Sequence, residues 1–127
     1  ADIVITGEGR LDGQTIMGKA PIGVAAIAKK YNKTVLAFSG CTTKEATLCN
    51  RHGIDAFFPI LHTITTQEEA MHPETTRQNL TTTTEQVFRL IQAVQVHQIT
   101  LLHLPTTLLK IDPLNQFLIY NIQQNRG

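Results

Sequence analysis

The sequence has little of several residue types, and each shortage narrows the range of functions. It has no tryptophan and only five Phe and two Tyr among 127 residues, so it lacks the aromatic side chains on which single-stranded nucleic acids stack. Its net charge of +1 gives no excess of Lys and Arg for contacts with DNA phosphates. We therefore expect no nucleic-acid partner.

Cysteines and long apolar runs are also scarce. The two cysteines, Cys41 and Cys49, form no CxxC pair, and two cysteines in a chain of this size make no disulfide framework. We expect reduced thiols, as in a cytosolic protein, and we favour a small buried residue over a reactive thiol at Cys41. The sequence shows no signal peptide and no apolar run of the ~18 residues that a membrane span needs. The predicted location is the cytoplasm, without a membrane partner.

Short β-rich runs alternate with helical patterns over most of the chain. The runs lack the period-2 alternation of half-exposed strands, which is typical of strands buried in a parallel sheet. Strands alternating with helices imply right-handed crossovers. The predicted fold class is α/β, a parallel Rossmann-like three-layer sheet fragment with flanking helices. The predicted strands are 3–6, 34–39 and 56–61.

Three helices are predicted between and after these strands. Pro21 suits a first helical turn, and Gly53 suits a helix terminus. Apolar spacing gives the first and third helices one inward face each. The predicted helices are Pro21 to about Asn32, 44–52, and about 75–93 with Leu80, Val87, Phe88 and Ile91 inward.

Charge falls sharply after residue 93. The first 93 residues hold 18 charged side chains and the last 34 hold three. Because residues 94–127 have neither a helical period nor a linker composition, we interpret them as an atypical tail, translated past the proper end and weakly packed on a domain at 1–93. An apolar run already begins at Ile3, which predicts that the chain is a fragment.

Residues 13–19 have the Gly-x-x-x-x-Gly-Lys spacing of an ATP-binding P-loop. In that loop a glycine-rich turn directly follows a strand, and a Ser or Thr after the lysine binds Mg²⁺. Here the predicted strand ends near Thr6, Ala20 has no hydroxyl, and Pro21 removes an N–H where the helix begins. We therefore reject a P-loop.

The same region still concentrates chemistry at the carboxyl end of a predicted strand, the ligand edge of an open α/β sheet. Lys19 precedes a helix, whose dipole favours an anion. Two carboxylates, two cations and four glycines suit a phosphate or metal–phosphate site. The structural alternative is that Asp12-Gly13 is an ordinary turn and that Asp12 or Thr15 caps a helix. The residues alone leave both interpretations open.

The string GEGRLDGQT-x-x-GKAPIGVA, at residues 7–25, resembles the signature of the bacterial glycerate kinase family, which phosphorylates D-glycerate with ATP. The resemblance continues through TVLAFSG and GIDAFFPI and covers about residues 1–93. It implies the C-terminal segment of a longer kinase, with the active site in a cleft between two α/β lobes. The N-terminal portion of the enzyme would then be a missing partner, and a homo-oligomer is compatible with the resemblance.

The resemblance also implies ligands and the residues that bind them. The ligands are ATP, Mg²⁺ and D-glycerate, which would become 2-phosphoglycerate. We expect Asp12 to hold the metal or to act as base toward the glycerate hydroxyl, Lys19 to bind phosphate, and Glu8 to contact metal or substrate. The guanidinium of Arg10 suits the glycerate carboxylate. The other candidate binding residues are Gln14, Thr15, Gly7, Gly9 and Gly18.

Two alternatives stand beside a kinase segment. In the first alternative the chain is a phosphate- or nucleotide-binding module without turnover. In the second it is an inert remnant of a truncated gene. Phosphoryl transfer requires two substrates positioned between preorganised groups, and this chain would supply one wall of the cleft. We therefore expect no glycerate phosphorylation from the chain alone.

Overall fold

A computed structural model describes residues 1–96 of the chain. No helix among these residues is long and apolar enough to cross a membrane. The elements, in chain order, are β1 (Ile3–Leu11), a first 3-10 helix (Thr15–Met17), α1 (Ala20–Lys30), β2 (Thr34–Thr42), a second 3-10 helix (Lys44–His52), β3 (Ala56–Pro59), α2 (Gln67–Met71) and α3 (Pro73–Val96).

The three strands form one parallel sheet in the order β1-β2-β3. The register places Glu8 of β1 opposite Ser39 of β2, and Ser39 opposite Pro59 of β3. The chain passes from β1 to β2 through α1, which contacts both strands. The predicted α/β fold, a parallel sheet with flanking helices, is confirmed.

The hydrophobic core lies where the sheet packs against α1 and the second 3-10 helix. Small side chains, such as Ala25 and Ala28 of α1 and Ala46 of the second 3-10 helix, let these elements pack closely in the core. The second 3-10 helix ends at Gly53, whose φ of 95° favours glycine, as the sequence predicted. The buried core residues are Leu11, Ala25, Ala28, Val35, Ala37, Ala46, Cys49 and Ile54.

The length of β1 is the main departure from the sequence prediction. The strand was expected to end near Thr6 but continues to Leu11. Parallel pairing with β2 runs on through Arg10 and Leu11, and Leu11 is fully buried. The part of this region from Gly7 to Leu11 is therefore held on the sheet by backbone pairing, whereas Gly13 and Gly18 lie in the turn that follows.

Other elements also differ from their predictions. The second 3-10 helix has the bounds predicted for an α-helix, and α2 was not predicted. Cys41 is exposed at the end of β2, so the expectation of a buried residue there is wrong, whereas Cys49 is buried.

The buried stripe of α3 is narrower than its apolar pattern indicates. Thr83 and Val87, one turn apart, are buried, and the Thr83 hydroxyl lies 2.7 Å from Nε2 of His62. Leu80 and Phe88 are 41% and 39% exposed, so the prediction that both face inward is wrong for the part of the chain that the structure describes.

The chain divides into two compact units, Ala1–Arg89 and Leu90–Gly127. The boundary predicted after Ala93 falls inside α3. The predicted tail lies outside the described residues, apart from the last residues of that helix. The site described next belongs to the first unit.

Candidate active site

The turn that follows β1 is organised by the carboxylate of Asp12. Its Oδ1 accepts hydrogen bonds from the backbone N–H groups of Gln14, at 2.9 Å, and Thr15, at 3.2 Å. These bonds satisfy N–H groups at the start of the first 3-10 helix, as a capping carboxylate does. Asp12 therefore caps the start of this helix, as the structural alternative predicted. The same bonds fix the position of its carboxylate at the end of the strand.

The first 3-10 helix ends at Gly18, whose φ of 96° is in the left-handed region and whose N–H donates to the Thr15 carbonyl. This reversal returns the chain toward the strand. The Nζ atom of Lys19 consequently lies 3.5 Å from Oδ1 of Asp12 and 3.8 Å from Oε1 of Glu8. A single ammonium group is thus shared by two carboxylates.

Thr15 also lies close to both carboxylates. Its hydroxyl lies 3.3 Å from Oε2 of Glu8 and 3.4 Å from Oδ1 of Asp12. The residue is fully buried, whereas the side chains of Glu8, Asp12 and Lys19 are 24%, 18% and 36% exposed. We call these four residues, Glu8, Asp12, Thr15 and Lys19, the acid–lysine cluster.

The carboxyl group of Asp12 is held in its ionised form. Partial burial opposes ionisation, but the Gln14 N–H, the charge and hydrogen bond of Lys19, and the Thr15 N–H outweigh it and hold the pKa of Asp12 below its usual value. The Nε atom of Arg10 lies 3.7 Å from Oδ2 of the same carboxylate. The cluster therefore presents a stable anion beside two cations.

The other sequence-predicted residues are placed less centrally. The Arg10 side chain is 62% exposed and reaches the cluster only at its edge. Gln14 is exposed and contributes its backbone N–H to Asp12. Gly18 acts through its conformation.

The three glycines near the cluster differ in whether the structure leaves room for a side chain. A Cβ atom at Gly7 would lie 2.9 Å from the Phe38 carbonyl oxygen, and one at Gly40 would lie 2.6 Å from the Gly9 carbonyl oxygen. Close strand packing thus explains both glycines. A Cβ atom at Gly9 would meet nothing within 4 Å, so Gly9 leaves open space beside the cluster.

The start of α1 offers fewer anion-binding groups than the sequence indicated. Pro21 has no N–H, and the N–H groups of Ile22 and Gly23 both donate to the Lys19 carbonyl. Gly13 follows the end of β1 at Leu11 by two residues, so the expected separation from a strand ending near Thr6 is wrong. The rejection of a P-loop now rests on Ala20 and on this short supply of N–H groups.

A groove of about 1230 Å³ runs beside the cluster. One wall is β1 with the carboxyl end of β2, and another is formed by the loop before α2, α2 itself and the start of α3. Sequence reasoning missed this second wall, although Thr66-x-x-Glu69 is a capping-box pattern and forms a complete capping box at the start of α2. The apolar lining includes Phe38, Ile60, Leu61, Ala70, Met71 and Leu80.

Sequence reasoning also missed Ser39, which lines the groove opposite Glu8 in the strand register. Ser39 is 2% exposed, and its hydroxyl has no hydrogen-bond partner among residues 1–96. A buried hydroxyl without a partner is uncommon in folded proteins. Ser39 belongs to the TVLAFSG run over which the family resemblance continues, but no role was predicted for it.

Comparison with known proteins identifies the family of the chain. A sequence model described as the glycerate kinase family matches residues 1–92. The chain belongs to the glycerate kinase family. The resemblance read from residues 7–25 is therefore confirmed.

Individual glycerate kinases agree with this assignment. The glycerate kinase of Haemophilus influenzae is 47% identical over 91 residues, which are 72% of this chain and 24% of that protein. The glycerate 2-kinase of Escherichia coli is 53% identical over 68 residues, which are 54% of this chain and 18% of that protein. The chain thus spans about a quarter or less of the length of the glycerate kinases it matches.

A solved structure agrees with the fold. A crystal structure from Salmonella typhimurium LT2, assigned as glycerate kinase 2, superposes with a TM-score of 0.53 at 46% identity. The match covers 75% of this chain and 23% of that one. Fold and sequence therefore point to the same family.

The acid–lysine cluster of this glycerate kinase segment fits a magnesium–phosphate ligand. Residues 1–96 contain no group of three or more His, Cys, Asp or Glu side chains that could hold a metal ion. Mg²⁺, however, is commonly bound through one or two carboxylates together with substrate phosphates and water. Glu8 and Asp12 supply two carboxylates around a position that a cation, the Lys19 ammonium, already approaches.

Proposed function

We propose that the chain is the C-terminal segment of a kinase that transfers the γ-phosphoryl group of ATP to a hydroxyl of D-glycerate. The observation that carries this proposal is the acid–lysine cluster beside an open groove, in a chain of the glycerate kinase family. The Escherichia coli relative is a glycerate 2-kinase, which supports 2-phosphoglycerate as the product.

Asp12 is better suited to holding Mg²⁺ than to acting as a general base. A general base works best with a pKa near the operating pH, whereas the hydrogen bonds and charge around Asp12 hold its pKa below the usual value. An ionised carboxylate is the form that a hard cation requires. When bound, Mg²⁺ would offset phosphate charge, and Glu8, whose side chain is also partly exposed, would be the second ligand.

Lys19 and Arg10 supply the positive charge that an anionic substrate pair needs. Lys19 lines the groove and is held by weak, shared contacts of 3.5 and 3.8 Å, so its ammonium can move toward a phosphate. Arg10 has an exposed, planar guanidinium, which matches a carboxylate by paired hydrogen bonds. We propose Lys19 as the phosphate-binding residue and Arg10 as the residue that binds the glycerate carboxylate.

Binding without turnover is the expected behaviour of this chain by itself. The chain spans about a quarter or less of its relatives, and its groove is open to solvent beside the cluster. Preorganised contacts on both substrates are a large part of phosphoryl-transfer catalysis. We therefore propose that the rest of the catalytic groups come from the N-terminal portion of the enzyme.

The test has two arms. Calorimetric titration of the chain with ATP and Mg²⁺, and separately with D-glycerate, measures binding. An assay of D-glycerate-dependent ADP release, applied to the chain and to a chimera in which it replaces the matching segment of the Haemophilus influenzae enzyme, measures turnover.

Each outcome selects one function. Turnover by the chimera, abolished by Asp12→Asn, supports the kinase segment. Binding of Mg²⁺–ATP by a chimera that has no turnover favours a nucleotide-binding module. A chimera that folds but neither binds nor turns over would contradict the proposal and favour an inert remnant.

A further inference from the structure

Thr15 has a different environment from the residues around it. It is fully buried, so its side chain cannot contact a ligand in the groove. Its Oγ1 accepts the backbone N–H of Asp12 at 3.1 Å. The same atom lies 3.3 Å from Oε2 of Glu8 and 3.4 Å from Oδ1 of Asp12. These contacts point away from the substrate-binding role that the sequence suggested.

The hydroxyl of Thr15 has one proton and two carboxylates within reach. A threonine hydroxyl donates one hydrogen bond at a time, and deprotonated carboxylates only accept. Thr15 therefore donates to Glu8 or to Asp12 but never to both. The accepting side of the hydroxyl meanwhile binds the Asp12 N–H, which fixes its position between the two acids.

Two members of the cluster touch both carboxylates, namely Thr15 and Lys19. Lys19 reaches the cluster through a flexible side chain that is 36% exposed. If Lys19 turns toward a phosphate, Thr15 is left as the group that links Glu8, on β1, to Asp12, in the following turn.

We propose that Thr15 is a positioning residue that holds Glu8 and Asp12 in one orientation for a magnesium–phosphate ligand. The inference rests on the proposed function, because it gives those carboxylates a cation to bind. The Thr15 hydroxyl lies against Oε2 of Glu8 and Oδ1 of Asp12. The ligand would therefore meet Oε1 of Glu8, near Lys19, and Oδ2 of Asp12, near Arg10. Hydrogen-bond partners of metal-binding carboxylates are commonly worth about 10–100-fold in metal affinity.

Paired substitutions in the full 127-residue chain separate this role from simple packing. Thr15→Val keeps the shape of the side chain and removes the hydroxyl, whereas Thr15→Ser keeps the hydroxyl. Thr47→Val is the matched control, since Thr47 is exposed and its hydroxyl donates to the Lys44 carbonyl, away from the cluster. Melting temperatures show which variants are folded.

The first readout is the affinity for ATP with and without Mg²⁺, measured by calorimetry. We expect Thr15→Val to weaken the Mg²⁺-dependent binding about tenfold or more and to leave Mg²⁺-free binding nearly unchanged. Thr15→Ser should restore the affinity, and Thr47→Val should not alter it. An equal loss with and without Mg²⁺, or no loss at all, would overturn the proposal.

The second readout needs no ligand. The ¹³C chemical shifts of the Glu8 and Asp12 carboxyl carbons at pH 7 report the hydrogen bonds that each group accepts. We expect both to change in Thr15→Val and neither to change in Thr15→Ser or Thr47→Val. If neither the wild-type chain nor the chimera binds Mg²⁺–ATP, the proposed function fails, whereas unchanged carboxyl shifts in Thr15→Val contradict the Thr15 link by themselves.

Discussion

Residues 1–96 contain two Asp–Lys pairs, and the two differ in the contacts that each carboxylate and each lysine make. Lys29 of α1 contacts Asp55 Oδ2 directly, and the same oxygen accepts the Val35 N–H at 2.7 Å. Lys19, in contrast, lies 3.5 Å from Asp12 and 3.8 Å from a second carboxylate. Lys29 thus makes a direct ion pair with one carboxylate, whereas Lys19 is shared between two carboxylates at longer distances.

The difference matches the proposal that the Lys19 pair would serve a ligand, whereas the Lys29 pair joins parts of the fold. Asp55 joins α1 to β2, and the Lys29 ammonium also donates to the Lys33 carbonyl at 3.0 Å. The carboxylate of Asp12 is less exposed than that of Asp55, at 18% against 44%, yet its lysine contact is longer. The long contacts of Lys19 would allow its ammonium to move toward an anion, as the proposed function requires.

The largest expected effect is on ligand affinity. Asp12→Asn should weaken the binding of Mg²⁺–ATP by about tenfold or more, because a neutral amide is a poor ligand for Mg²⁺. Asp55→Asn is the matched change at the other pair and should leave the affinity unchanged. Isothermal calorimetry on the two variants measures this, and equal losses in both would remove the distinction between the pairs.

The next effect is on stability and has the opposite distribution. Asp55→Ala removes the acceptor of the Val35 N–H and the partner of Lys29. It should lower the free energy of unfolding by about 1–2 kcal/mol, a modest value because both side chains are more than a third exposed. Urea denaturation followed by circular dichroism checks this. Asp2→Ala, at an exposed position, is the control, and a loss as large in that variant would contradict a specific role for Asp55.

The contribution of Asp55 should also depend on pH. Partial burial opposes its ionisation, but the Lys29 hydrogen bond and the Val35 N–H hold the pKa of Asp55 below its usual value. A lowered pKa in the folded state means stability that is present above the unfolded pKa, about 3.9, and lost as pH falls through the folded pKa. The stability difference between wild type and Asp55→Ala should therefore be constant between about pH 5 and pH 8 and shrink below about pH 4. A stability difference that grows on acidification would contradict a lowered pKa of Asp55 in the folded state.

The smallest effect is expected from the lysines. Lys19→Gln should change the free energy of unfolding by less than about 1 kcal/mol, because long, solvent-screened ion pairs contribute little. Lys29→Gln, which breaks a short contact and a bond to the Lys33 carbonyl, should cost more. Thermal melts of both variants test the order. A larger loss for Lys19→Gln would mean that the acid–lysine cluster is mainly structural.

The sequence allowed some features to be predicted because their causes are local. Pro21 indicated the start of α1, and Gly53 indicated the end of the second 3-10 helix. The polar residues of the cluster were expected together because the carboxyl end of a parallel strand is a common ligand edge. Each of these signals acts within a few residues.

Other features depended on tertiary contacts that no local pattern reveals. Glycine disfavours strands, so the extension of β1 was not predicted, yet pairing with β2 and burial of Leu11 hold it there. Thr15 was interpreted as a ligand contact because burial cannot be read from one polar residue in a loop. Thr66 and Glu69, in contrast, carried a readable capping-box signal for α2 that was overlooked.

The most direct test of the central claim, that the acid–lysine cluster binds the nucleotide phosphates with Mg²⁺, is an NMR titration of the chain with Mg²⁺–ATP. We predict saturable shifts of the backbone amide and side-chain signals of Glu8, Asp12 and Lys19, with those of Lys29 and Asp55 unchanged. Saturable shifts at Lys29 and Asp55, with the cluster unaffected, would contradict the account.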